Sequence, residues 1–460
     1  MSGLDNRGGA QLRAVLAAFR EEVKPELTSP QTKFRAELID MLLTRLAAEA
    51  DGGDAGELFW DDVGSLLGQA PANDAQARNQ ALADLLGHAQ GGDDKLVALI
   101  AAIAAGECKR RVALEERVAE NLRVLKTGPS SVGELAISPE DVTGYLRGRF
   151  PEDAGITATR VTVVPGGRSK ATILIEFTTA DGPHEIVVRK DFELGSAGIS
   201  VSEEYPVICA AWEAGLPVPQ PLWLEEQRSA IRGKFIAFSK VRGKSMGTLF
   251  ASDASPAFLR EFAATLAKLH AVDIEKSGLG DRLRWARAEH PVRALIDHFY
   301  DRYRLLPPDP LMDAAFAHLR LAMKDIGNER ALVHGDAGLH NTMGDGDHLT
   351  ALLDWEFSHT GDPAEDLTYC KYLVERLIPW DEFMAVYIAA GGRPVSEARM
   401  QFFTLWRTLH LAIHTGTAKL AFDSGADQDL RKAAIGYNTF PKQLRDLAFD
   451  LARYTGGNKA

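Results

Sequence analysis

Residues 334–343 read HGDAGLHNTM, which sets two histidines, an aspartate and an asparagine directly after the apolar triplet Ala331-Leu332-Val333. Alone, the stretch fits three things: the catalytic loop of a kinase, a metal site, or a polar turn. A second apolar run, LTALLDWE at 349–356, also ends in acid. Asp336, Asn341 and Asp354 are therefore expected at the ends of adjacent strands, facing one cleft. Two carboxylates and an amide oxygen are the hard donors that Mg²⁺ prefers, with water and phosphate oxygens completing its shell. Phosphoryl transfer asks for one carboxylate to orient the attacking hydroxyl and for oxygen ligands that hold metal against the triphosphate. A lone His334 reads as turn chemistry; His334, Asp336, Asn341 and Asp354 together read as a site.

The bulk numbers narrow the class. The chain has 460 residues, 45% hydrophobic and 25% charged, which is the composition of a globular protein with two or three domains. A net charge of -12 argues against nucleic-acid or anionic-membrane partners, because both need a basic footprint. Cys108, Cys209 and Cys370 are scattered without a C-x-x-C pair, as in a reducing compartment. The N-terminus lacks the apolar core of a signal peptide. The longest apolar run, LVALIAAIAA at 96–105, is about half a membrane span. A cytoplasmic location is the expectation.

Three segments follow from the patterning. Residues 10–125 carry apolar side chains at helical spacing, interrupted by loops such as DGGDAGE and QGGDD. Residues 1–130 are read as a helical bundle whose charges form a solvated face, packing on a neighbour or on a second copy; a homodimer through this region is one arrangement that allows. KTGPSSVGELAISPED (126–141) breaks the pattern, and Ser138-Pro139-Glu140-Asp141 reads as a helix start. Residues 131–240 then alternate as short strands, ATILIEFTT and EIVVRKD among them, with a helix over 202–215 and a further strand at 234–241. Residues 241–460 are mainly helical, starting at Ser255-Pro256 with Phe258, Phe262, Leu266 and Leu269 on one face. Strands first and helices after give an α+β layout of two lobes.

HGDAGLHN, followed by LLDWEFSHTGDPAEDL at 352–367, resembles the aminoglycoside phosphotransferase-like kinase superfamily. Asp-Trp-Glu and Gly-Asp-Pro-x-x-Asp-Leu resemble the branch of kinase-like domains fused to acyl-CoA dehydrogenases. The resemblance runs from about residue 140 to about residue 380. It implies a bilobal protein-kinase-like fold, to which the patterning of residues 1–130 adds an N-terminal all-helical domain. It makes Asp336 the catalytic base, or the group that aligns the substrate hydroxyl, and Asn341 and Asp354 the Mg²⁺ ligands. His334 becomes a structural member of the catalytic loop rather than a proton carrier, and Asp362 and Asp366 brace that loop.

The remaining kinase parts lie upstream. PGGRSKAT (165–172) would cover the phosphates, where Gly166 and Gly167 let backbone N–H groups approach anionic oxygens. Ser169 matches the family's Gly-Gly-x-Ser-Asn, but Lys170 stands where Asn is usual, adding a phosphate contact or altering the loop. Arg189 takes the place of the phosphate-neutralising Lys; Lys190 is the rival, which alternation turns to the opposite face. Glu204 is the helix partner of that cation, and Lys240 and Val241 would offer adenine their backbone groups. His270 is read as packing or capping. In QFFTLWRTLHLAIHTGTAKL (401–420), Trp406, His410 and His414 share a face beside Arg407, as core or as a pocket wall. That content suits a hydroxylated organic acid or an acyl thioester better than a polycation.

The leading expectation is thus an ATP- and Mg²⁺-dependent phosphotransferase acting on a small-molecule hydroxyl, with GTP left open. The alternatives are a kinase-like module that binds nucleotide or metabolite without transfer, and a metal-dependent phosphohydrolase. The latter lacks the second ligand cluster that a two-metal site usually needs.

Overall fold

In a computed structural model of the chain, the described residues are 5–28, 30–50, 75–87, 94–122, 137–153, 155–164, 170–191, 199–227, 231, 233–248, 251–425 and 430–455. The expected phosphate loop, with Gly166, Gly167 and Ser169, lies outside them. The chain divides into two compact units, Val132–Ala294 with Asn328–Met400, and Met1–Ser131 with Leu295–Gly327 and Gln401–Ala460.

The second of these is helical. Helices α1 (Asp5–Ala18) and α2 (Pro30–Ala50) pack together, and α3 (Ala75–Gly87) and α4 (Asp94–Leu122) both receive Pro310–Ala322. Phe440–Tyr454 also packs on α4. The expected 241–460 segment is therefore not one piece. Residues 295–327 and 401–460 join the N-terminal helices because apolar stripes on these helices close on Leu99, Ile103, Phe316 and Leu447. An ion pair from Arg111 to Asp309 at 3.1 Å crosses the same contact. The charges of this region are also not merely a solvated face. Asp40 is fully buried between Arg20 and Lys24, and Glu107 is buried beside Arg111 at 2.7 Å. Burial alone would raise the Asp40 carboxyl, but hydrogen bonds from the two cations hold it below the usual range.

The other unit is α+β. Ser138 caps α5 (Pro139–Arg149), its hydroxyl accepting from the Asp141 N–H at 3.1 Å while Asp141 reaches back to the Ser138 N–H. Strands β1 (Thr157–Val164), β2 (Lys170–Thr179), β3 (Gly182–Asp191), β4 (Pro221–Glu225) and β5 (Phe235–Ser239) form one antiparallel sheet in the order β1-β2-β3-β5-β4. Helix α6 (Val201–Glu213) packs against β3, β4 and β5. Side chains alternate across the pleat. Ile173, Ile175, Ile186 and Val188 bury against Val142 and Leu146 of α5, so Thr172 and its partner Arg189 project from the opposite face.

Beyond Ser239 the strand β6 (Lys244–Ser245) pairs with β8 (Thr342–Asp345), which forms a hairpin with β9 (His348–Leu352). Helix α7 (Pro256–His270) buries Phe258, Phe262, Leu266 and Leu269 as expected. The short strand β7 (Ala331–Val333) pairs not with β8 or β9 but with β10 (His359–Gly361). Asp336 thus comes from a different small sheet than the hairpin flanked by Asn341 and Asp354. Among the described residues no helix is long and apolar enough to cross a membrane.

Candidate active site

The segment after β7 turns at Gly335, whose φ is +76° and whose missing Cβ would lie 2.5 Å from the Phe357 carbonyl oxygen. Only glycine fits that turn without displacing backbone. Asp366, fully buried near the start of α8 (Ala364–Val374), accepts the backbone N–H groups of His334 and Gly335, each at 2.8 Å. Its carboxylate also meets His270 Nε2 at 3.0 Å, and His270 Nδ1 meets the Tyr387 hydroxyl at 2.9 Å. Burial pushes the Asp366 carboxyl up, but His270 and the backbone donors outweigh it and hold the value below normal.

His334 is locked on both sides. Its Nε2 lies 3.0 Å from the Leu353 carbonyl oxygen, so it donates; its Nδ1 accepts the Asp336 N–H at 3.3 Å. That fixes a neutral tautomer, and a proton on Nδ1 would oppose an N–H. The Asn341 N–H and the Leu353 N–H bind the carbonyls of Gly338 and Asn341, at 2.9 and 2.8 Å. The loop is thereby stitched to the residue before Asp354.

Asn341 Nδ2 lies 3.0 Å from the Asp336 carbonyl oxygen and 2.8 Å from Asp336 Oδ2. Both partners accept, so the amide nitrogen must face them and Oδ1 is left for a cation. Asp336 Oδ1 is buried without a hydrogen-bond partner, with His340 Nε2 3.6 Å away.

Asp354 has a φ of +66°, a left-handed conformation that aspartate tolerates better than most residues. One of its oxygens is hydrogen-bonded to Arg189 Nη2. Arg189 Nε lies 3.6 Å from Glu204 Oε1, and that oxygen accepts the Trp355 N–H at 3.1 Å. Burial disfavours the Arg189 charge, but Asp354, Glu204 and Glu356 more than compensate and hold its pKa above normal. Lys170, expected near the phosphates, is instead buried, 2.7 Å from Glu356 Oε2 and 3.3 Å from Glu204 Oε2. Glu356 is pushed up by burial and by Asp354, with Lys170 and Arg189 opposing. Lys190 points elsewhere: a Cβ on Gly233 would sit 3.4 Å from its Nζ.

Asn341 Oδ1 and the second Asp354 oxygen are hard donors of the kind that fits Mg²⁺ and not zinc. Among the described residues no group of three or more His, Cys, Asp or Glu could hold a metal.

Asp362, expected to brace the loop, instead takes Arg399 Nε at 2.8 Å and the Ala364 N–H at 2.8 Å, at the start of α8. Lys240 is exposed, its ammonium 2.7 Å from Glu185, where the chain leaves the sheet before Val241. Trp406 and His410 are buried around Phe299 in the helical unit, where His410 and His414 meet Nε2 to Nε2 at 2.7 Å. Sequence reading missed Glu356 as the partner of Lys170, and His270 and Tyr387 behind Asp366. The Asp-x-Glu spacing at 354–356 was the one local sign of the first.

A five-stranded sheet with two packed helices, a helical lobe and an Asp/Asn loop beside a strand-end cation define a bilobal kinase-like fold. The chain belongs to the phosphotransferase enzyme family, whose model matches residues 160–403, more than half of its length. The crystal structure of an aminoglycoside-phosphotransferase-like protein of Ralstonia eutropha JMP134 shares the fold, with a TM-score of 0.53 at 21% identity, covering 68% of this chain and 98% of the other. Acyl-CoA dehydrogenase family member 11 of Rattus norvegicus is 28% identical over 231 residues, 48% of this chain. Its Gallus gallus counterpart is 31% identical over 179 residues, 37% of this chain. This chain spans 29% and 22% of those two proteins' lengths.

Proposed function

We propose that the protein is an ATP- and Mg²⁺-dependent O-phosphotransferase whose acceptor is the hydroxyl of a small molecule. The observation that carries this reading is Asp336. Its Oδ2 is pinned by Asn341, while its Oδ1 is buried without a hydrogen bond, His340 Nε2 standing 3.6 Å away, a costly arrangement unless a closer donor arrives. A substrate hydroxyl is such a donor. Asp336 orients it and receives its proton as the oxygen bonds to the γ-phosphorus and the bond to the β–γ bridging oxygen breaks, with ADP leaving. Mg²⁺ held by Asn341 and Asp354 would neutralise triphosphate charge. Arg189 turns its fork from Asp354 to the phosphates, and neutral His334 keeps the loop in shape.

For the acceptor class we infer a hydroxylated organic acid or acyl thioester, a reading supported by the acyl-CoA dehydrogenase relatives. The test is ADP release from Mg-ATP in the presence of a small-molecule extract, with Asp354→Ala as control. Extract-dependent ADP that vanishes in the variant supports the assignment; near-normal turnover in Asp354→Ala refutes it. One observation favours a second reading, a binding module without transfer: Arg189 and Asp354 are bound to each other. Such a module binds Mg-ATP and yields no ADP with any extract.

A further inference from the structure

Lys170 occupies the first position of β2. Strand register pairs Thr172 with Arg189, so Lys170, two residues from Thr172, shares the face of Arg189. The two cations meet three carboxylates, Glu204, Asp354 and Glu356. Lys170 is 1% exposed and its ammonium is shared between Glu356 and Glu204. It is built into the wall rather than offered to a ligand.

We propose that Lys170 is a positioning residue: by holding Glu204 and Glu356 it frees Arg189 to leave Asp354 for the triphosphate. This rests on the phosphotransferase reading. Without the lysine, three acids would converge on one guanidinium, and moving it to a nucleotide would strand buried carboxylates without a partner, which is strongly unfavourable. With the lysine in place, Glu204 and Glu356 keep a cation throughout, and Asp354 alone is released, to the metal. The residue types match this division. A compact ammonium can bridge two carboxylates, whereas a planar guanidinium suits phosphate oxygens.

The test is titration calorimetry of Mg-ATP against the full chain, Lys170→Met, and the Lys170→Met/Glu356→Gln double variant. The double variant removes one of the two carboxylates that lose Lys170 and so strains the fold less than the single variant. It still leaves Glu204 to Arg189 alone. Both variants are expected to bind Mg-ATP about 10- to 100-fold more weakly, the usual cost of losing a residue that orients a site. In the double variant the loss is expected for Mg-ATP and not for adenosine, which has no phosphate for Arg189 to meet; a purely structural lysine would weaken both alike. A double variant that binds as tightly as the parent overturns the role of Lys170 and leaves the phosphotransferase reading standing. A parent that does not bind Mg-ATP overturns both.

Discussion

Asn341 reaches back to Asp336 and bonds it twice, through the backbone carbonyl at 3.0 Å and through Oδ2 at 2.8 Å. Five residues apart in sequence, the two form one unit in which the amide fixes the carboxylate and turns its own oxygen outward. Asn341→Ala should free Asp336 to rotate and remove a metal donor at once. Turnover is expected to fall about 100-fold or more, in the range lost when an acid–base group is misplaced. Steady-state kinetics checks this; a variant with parental kcat would show that the pair is ornamental.

Gly335 sits between the two motif residues at a φ of +76°, with the Phe357 carbonyl where a Cβ would be. Gly335→Ala should cost about 2 kcal/mol or more, from left-handed strain plus displaced backbone. It should also lower kcat, because the loop turn carries Asp336. Denaturant melts and kinetics on the same sample test the two effects together.

Asp366 holds that turn from behind, with no exposed surface and three donors. In Asp366→Asn one backbone N–H loses its acceptor and the charge opposite His270 disappears, for an expected cost of about 3 kcal/mol. The folded-state pKa of Asp366 is depressed. Its contribution is therefore complete above the ordinary aspartate value of about 4 and is lost as pH falls through the depressed one. Acid titration of stability should show this loss in the parent and not in the variant.

Asp313, buried in Pro310–Ala322 of the helical unit, has the opposite sign. Burial, with Asp309 adding negative charge, lifts its carboxyl to about 7. Between about 4 and that value the folded chain keeps a proton that the unfolded chain gives up, so stability drops as pH rises across this window. Asp313→Asn should remove that drop and be more stable than the parent at pH above about 7. Thermal melts across the window decide it; parallel curves for parent and variant would contradict it.

Much of this was legible in the sequence because the deciding residues are close together along the chain. HGDAGLHN follows an apolar strand, so the pairing of Asp336 with Asn341 was within reach of the sequence, whereas the expectation of adjacent strands failed because Ala331–Val333 pairs with His359–Gly361. The strand Pro221–Glu225 was not legible, since the prolines before it read as a connection. The contacts of Lys170 were hidden for another reason: Glu356 is 186 residues away, and a lysine after a glycine loop looks the same whether it faces phosphate or carboxylate. His270 lies 96 residues from Asp366, with the same consequence. Helical periodicity in 401–420 revealed an apolar face but not its partner, so its grouping with the N-terminal helices emerged only in three dimensions.

The most direct test of the central claim is to follow the γ-phosphoryl group. The protein is incubated with Mg²⁺, γ-labelled ATP and a small-molecule extract, beside Asp336→Asn. Label should move into an organic phosphate ester with the parent and stay in ATP with the variant. Label appearing only as inorganic phosphate, or reaching the same ester without Asp336, would contradict the account.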